Sequence, residues 1–321
     1  MNRLILACLA FLVVQPAAAL QHHLLVVSGI GGTDDYRQQF ALQSQQLKQA
    51  ALDAGIPRDN IVMLADQADE SDYRPADKQT LLRTIREIGA RAAPEDRVFV
   101  ILIGHGNERG DGAVFNLPGP DISADELGAA LDQLGERQLV IVNTASSSGP
   151  FVGRLSGSNR VVMTATASAQ EFQAPLFGGF FVSAFVTAGA DRDKDERISM
   201  LEAFDFARSE VRRSYDSSKR LLTEHALLDD NGDGEGSQQP GEYQADGALA
   251  NRVYLQQPPS AASGAPPWLV AMLQRKQALE QSIYELKRQR ESLQRRDYYD
   301  RLENLLVELA LLTRQIRAEG S

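Results

Sequence analysis

The sequence predicts an α/β domain of three layers, a mainly parallel β-sheet with helices on both faces, followed by a C-terminal α-helical hairpin or coiled coil. Three observations predict it. Apolar runs of strand length alternate with stretches of helical period. Several of those runs are apolar at every position, as strands buried on both faces require. A Pro/Ala/Ser/Gly linker, residues 256–267, then leads into a tail whose leucines follow a heptad.

The elements follow in order. "HLLVVSGIGG" (His23–Gly32) reads as a buried strand ending in a glycine turn. Residues 40–54 put Phe40, Ser44, Leu47 and Ala51 on one helical face. "NIVMLAD" (Asn60–Asp66) is the next strand. A helix from Thr80 to Ala92 turns Leu81, Ile85 and Ile88 inward. "RVFVILIGHG" (Arg97–Gly106) is a fully apolar strand. "ISADEL" opens a helix with a Ser123/Glu126 capping box. "QLVIVNT" (Gln138–Thr144) and "RVVMTAT" (Arg160–Thr166) are strands, and "NRVYL" (Asn251–Leu255) reads as a last, shorter one. His22 and His23 fall at an expected frayed start, and His225 reads as a surface or capping residue.

In the tail, Leu279, Ile283, Leu286, Arg290 and Leu293 form one seam, and Leu302, Leu305, Leu309, Leu312 and Ile316 a second. The gap between the seams breaks the register. "QRRDYYD" then reads as the corner of an antiparallel hairpin with Asp297 near the second N-cap, or as the bend of one helix. Packing onto the body and self-association through residues 268–321 both fit such seams.

Residues 1–19 read as an export signal: basic Arg3, apolar Leu4 to Val14, and small residues Ala17 to Ala19. Cleavage after Ala19 and a periplasmic or secreted location are expected. "ILAC" (Ile5–Cys8) lies too early in the apolar run to be a lipobox. The expected domain is residues 20–255. Cys8 is the only cysteine, so cleavage removes every thiol. The formal charge is −10. Residues 266–321 carry ten basic and eight acidic side chains, so the acidity sits in the rest of the chain. No basic face calls for nucleic acid, and no segment after the signal is apolar enough to span a membrane.

Open parallel sheets place their chemistry beyond the carboxyl ends of the strands. Two such ends are polar here: "GHG" with His105, and "TASSSG" with Ser146, Ser147 and Ser148. A histidine facing a hydroxyl there could form a nucleophilic dyad. No G-x-S-x-G, G-x-G-x-x-G or H-E-x-x-H occurs in the chain. The plain alternative is that both motifs are turns.

These two strand ends, and the order of elements over residues 23–255, resemble the caspase/legumain (hemoglobinase-fold) cysteine peptidases. "EHALLDDNGDGEG" (Glu224–Gly236) is similar to stretches in bacterial members. The resemblance implies a caspase-like fold. It puts the catalytic histidine at His105, an oxyanion-binding N–H at Gly106 and the cysteine position at Ser146. Asn143 and Thr144 replace the acidic residue often found before that cysteine. A serine lacks the accessible anion of a thiol. The expectation is a proteolytically inactive, calcium-stabilised module that binds a peptide or protein. The alternative is a hydrolase using Ser146 or Ser147 with His105.

Calcium enters through "DRDKDERISMLE" (Asp191–Glu202). Asp191, Asp193, Asp195, Arg197, Ser199 and Glu202 occupy positions 1, 3, 5, 7, 9 and 12 of an EF-hand loop. Glu196 takes position 6, where glycine makes the sharp turn. A second, weaker loop offers Asp229, Asn231 and Asp233, with Gly234 at position 6 but Pro240 where the closing carboxylate belongs. A solvated acidic turn is the plain alternative for both.

Overall fold

The computed structural model describes residues 20–67, 72–110, 112–187, 189–241, 245–256, 266–290 and 292–319. The expected signal, residues 1–19, and most of the linker lie outside the described residues.

Strand β1 (His22–Ser28) leads into helix α1 (Asp34–Asp53), capped by the Thr33 hydroxyl on the Tyr36 N–H. β2 (Ile61–Ala65), β3 (Tyr73–Pro75) and α2 (Lys78–Arg91) follow, then β4 (Arg97–Ile103). A small antiparallel sheet comes next: β5 (Gly106–Arg109), β6 (Gly112–Phe115) and β7 (Ile122–Ser123). Ser123 caps α3 (Ala124–Asp132) with both bonds of the capping box in place, as its sequence predicts. β8 (Gln138–Asn143), α4 (Phe151–Leu155), β9 (Arg160–Thr164), α5 (Phe177–Ala184), α6 (Met200–Ser217) and β10 (Leu227–Asp229) complete the body.

The main sheet runs β10-β9-β8-β4-β1-β2-β3. All its pairs are parallel except β10 with β9. Successive strand residues point to opposite faces. Leu24, Val26, Phe99 and Ile101 join one core with residues of α1, α5 and α6. Leu25, Val27, Val98 and Val100 join another with residues of α2, α3 and the small sheet. That division explains the uninterrupted apolar runs. Chain order also reverses at β1: β2 lies on one side and β4 on the other. The crevice at the carboxyl ends of β1 and β4 is therefore the switch point where such sheets place ligands.

Two local expectations need correction. His22 and His23 are not frayed: both are buried in β1, paired with Arg97 and Val98 of β4. His22 Nδ1 bonds the Leu255 carbonyl at 3.1 Å, and His23 Nε2 bonds Asp96 at 3.1 Å. "NRVYL" is not a strand. Ala250–Arg252 is a 3-10 turn, and beyond it only a single bridge joins Tyr254 to Ser199. The Asp230 carboxylate forces that turn by accepting the N–H groups of Gly247, Leu249 and Ala250 at 2.7–2.9 Å.

The tail forms two helices, α7 (Pro267–Arg288) and α8 (Arg295–Glu319), packed on each other and joined by Arg275–Glu308 at 2.6 Å. Asp297 lies in the first turn of α8, near its N-terminus as the sequence predicts. Leu279, Ile283 and Leu286 of the first seam are buried. α7 also meets the body through Arg197–Glu280 at 3.4 Å and Lys276–Asp195 at 3.8 Å.

Candidate functional site

β4 ends at Ile103 and delivers Gly104, His105 and Gly106 to the switch-point crevice. The His105 carbonyl accepts the Asn116 N–H at 2.9 Å, which ties the turn to the small sheet. Its ring stands edge-on to Tyr36 (centroids 4.5 Å apart) and to Phe40 (5.1 Å), both on α1. Burial lowers the His105 pKa below its ordinary value, and a hydrogen bond with the Gly31 backbone opposes this in part. The imidazole is thus held neutral, the form a general base needs.

β8 delivers the serines. Ser146 is 3% exposed. Its hydroxyl donates to the Gly106 carbonyl at 2.8 Å and accepts the Gly106 N–H at 3.2 Å. Gly106 must be glycine for this approach, since a Cβ there would lie 2.6 Å from the Ser146 carbonyl oxygen. Ser147 sits in the left-handed region (φ 54°); its N–H donates to the Glu171 carbonyl and its hydroxyl to the Ala169 carbonyl. Ser148 and Thr166 share a hydroxyl bond at 3.1 Å, and Thr166 Oγ1 accepts the Gly149 N–H. All three hydroxyls therefore fasten turns to one another. Among the described residues, no hydrogen bond joins His105 to Ser146 or Ser147. Asn143 and Thr144 serve the backbone likewise, on the Ala145 N–H and the Leu102 carbonyl.

Sequence reasoning missed the α1 side of this crevice. The sequence marks Phe40 only as one residue of a helical face, and nothing in it singles out Tyr36. A cleft of about 360 Å³ opens between α1 and the ends of β1 and β2, lined by Ser28, Gly29, Arg37, Ser44, Asp66 and Tyr73; Tyr36, Phe40 and His105 are not among its lining residues. That volume lies in the range of small-molecule or side-chain pockets. Arg37 pairs with Asp34 at its mouth. The spacing of Tyr36 and Phe40, one helical turn apart, was the available signal.

The model of the Peptidase C13 family matches residues 76–220, a span that includes His105 and Ser146. Over that span the chain is similar to the Peptidase C13 family, the legumain-type peptidases. A Geobacter sulfurreducens protein of solved structure superposes with a TM-score of 0.45 at 11% identity, covering 65% of this chain and 92% of its own. Caspase-1 of Spodoptera frugiperda superposes at 0.42 with 12% identity, covering 66% and 89%. No curated relative matches the chain.

Elsewhere in the domain, the acidic loop before α6 draws Asp191, Asp193 and Asp195 together, one carboxylate oxygen of each within 4.8 Å of the others. Burial raises the Asp193 pKa, and the charges of Asp195, Glu202 and Asp191 raise it further. Glu196, at the glycine position, adopts φ 68° and so makes the turn despite its side chain. Glu202 closes the loop: Oε1 accepts the Arg192 N–H at 2.9 Å, and Oε2 accepts the Ser199 N–H and hydroxyl as part of the α6 capping box. Arg197 does more than offer a carbonyl. Its guanidinium bonds Asp195 at 2.7 Å and lies 3.9 Å from the centre of the Tyr254 ring. An all-oxygen set of carboxylates suits a hard cation such as calcium.

In the second loop, Asp229 accepts the N–H groups of Gly232 and Gly234, and Asn231 pairs with Asp233 at 2.9 Å. Pro240 gives no carboxylate. Among the described residues only Asp191, Asp193 and Asp195 gather three carboxylates within reach of one ion; beside the second loop the fold adds Asp246, which lies beyond the loop template. It is 3% exposed and bonds the Asp230 N–H. Burial pushes its pKa up to about 6, helped by the charges of Asp229, Asp230 and Asp233. His225, expected on the surface, is half-exposed and bonds Glu171 at 2.8 Å.

Proposed function

We propose that this caspase/legumain-like chain is an exported module that holds a peptide or protein at the crevice beside His105 without cleaving it. Calcium stabilises it through Asp191, Asp193, Asp195 and Glu202, and less strongly through the second loop. The export signal of residues 1–19 supports a periplasmic or secreted location.

One observation carries the inactive reading: the Ser146 hydroxyl is spent on Gly106. A serine nucleophile needs a base within hydrogen-bond reach, itself held by a third group. Here its proton goes to a backbone carbonyl. The Gly106 N–H, which the family would use for an oxyanion, is occupied by the same hydroxyl. His105 is engaged at Gly31. The cleft by Arg37 and Tyr73 supplies room for a ligand side chain.

The test is direct. Purified chain beginning at Leu20 is treated with a fluorophosphonate and offered a broad peptide library. Binding without labelling or cleavage is expected. Labelling lost in Ser146→Ala, with peptide turnover lost alongside it, would establish the serine-hydrolase reading instead.

A further inference from the structure

A small cavity lies between α5, α6 and the segment leading into β10. It measures about 40 Å³, and its walls include Phe177, Arg208, Arg212, Glu224 and Gln239. One water needs roughly 10–15 Å³ on this kind of measure, so a group of a few heavy atoms fits.

Among the described residues, two on the wall hold buried polar atoms without partners. Glu224 is 5% exposed. Its Oε2 accepts the Leu176 N–H at 2.7 Å, while its Oε1 has no hydrogen-bond partner. Arg208 donates through Nη2 to Asp205 at 3.2 Å, yet its buried Nε–H has none. Buried polar atoms are seldom left this way without a reason.

The chemistry of the two groups selects the ligand. Nε–H can only donate. With Oε2 committed as an acceptor, a proton on the Glu224 carboxyl belongs on Oε1, which then donates as well. Burial pushes the Glu224 pKa up to about 7; the N–H groups of Leu176 and Phe177 and the charge of Arg220 oppose the rise and the charge of Glu171 adds to it, so the acid form is available near neutrality. Arg212 adds positive charge to the wall. Two donors beside arginines call for paired acceptor oxygens. An ammonium group would leave the Nε–H unpaired.

We propose that this cavity binds a small carboxylate, one oxygen accepting from Glu224 Oε1–H and the other from Arg208 Nε–H. The proposal does not depend on peptide binding at the His105 crevice. The cavity nevertheless joins that region: His225, on its wall, bonds Glu171, whose carbonyl receives the Ser147 N–H.

The experiment titrates the full chain with acetate, acetamide and methylammonium at constant ionic strength, at pH 6 and pH 8, by thermal shift and calorimetry. Acetate should give a saturable rise in melting temperature, with acetamide at least tenfold weaker and methylammonium inert. Acetate binding should weaken about tenfold from pH 6 to pH 8, as a group titrating near 7 loses its proton. Glu224→Gln keeps a donor at that position, so it should bind acetate with no such pH dependence. Arg208→Lys keeps the charge but removes the Nε–H, and should weaken binding at least tenfold. If that variant fails to fold, the pH profile of Glu224→Gln decides. Glycylglycine binding like acetate would assign a peptide terminus as the source; acetate alone would assign a free acid. No saturable response, as for a cavity holding only water, would overturn the proposal. So would equal or tighter binding of acetamide or methylammonium, or an unchanged pH profile in Glu224→Gln.

Discussion

Ser146 and Gly106 exchange two hydrogen bonds, hydroxyl to carbonyl at 2.8 Å and N–H to hydroxyl at 3.2 Å. This reciprocal pair ties the end of β8 to the end of β4. It makes the hydroxyl a structural clamp. Ser146→Ala should therefore destabilise the fold, because both Gly106 groups lose a buried partner. The expected loss is about 1–3 kcal/mol by denaturant unfolding. An unchanged midpoint would show that the pair carries no stability.

Calcium should raise the melting temperature, and magnesium should do less, since magnesium gives up its water reluctantly. At a hundredfold excess over Kd the gain is about 2.7 kcal/mol. Asp191→Ala or Glu202→Gln should remove it. Identical melting in calcium and in chelator would refute the site.

Acid should destabilise the protein through His22. Burial drops its pKa to about 3, against 6.5 for the free side chain. Between those values the unfolded chain binds the extra proton and the folded chain does not. Stability is thus full above about pH 6.5 and is lost as pH falls toward 3. At pH 5 the loss is about 2 kcal/mol. Replacing His22 by a neutral residue that preserves the fold should flatten the slope of unfolding free energy between pH 6.5 and 4.

Removing the tail should leave a folded body. Among the described residues, neither main core includes one beyond Leu255. The α7 contacts that are lost include the ion pairs to Asp195 and Arg197. A chain ending at Gln256 should unfold cooperatively, by calorimetry. If the tail self-associates, light scattering should show the full chain larger than a monomer and the truncated chain not. Aggregation on truncation would show instead that the seams cover the body.

Much of this was legible in the sequence because long apolar strands declare themselves. The runs at β1, β4 and β8 are continuous, and continuity on both faces means a covered parallel sheet. The Ser123/Glu126 box is local chemistry and is read locally. β5 and β6 were missed because "GNER" and "GAVF" are four residues each, too short for a period. β10 was missed for the same reason, with three residues. His22 and His23 look like a polar start; only their place on a central strand buries them. The use of Ser146 depends on Gly106, forty residues away, so no spacing rule could supply it. Asp246 likewise reaches the second loop only through the fold.

The two outer strands of the main sheet set how this molecule can meet others. β3 is three residues long and ends in Pro75, which has no N–H to offer. β10 is as short, and Leu228 already exchanges both backbone bonds with Ser237 on its open side. Little free ladder remains at either margin for a foreign strand to extend. Fibril-like stacking and edge-to-edge pairing through the main sheet are disfavoured, even though its interior is almost wholly aliphatic. Any assembly that avoids the main sheet would use side-chain surfaces, and α8, with Leu306, Val307 and Leu311 about half exposed, presents one.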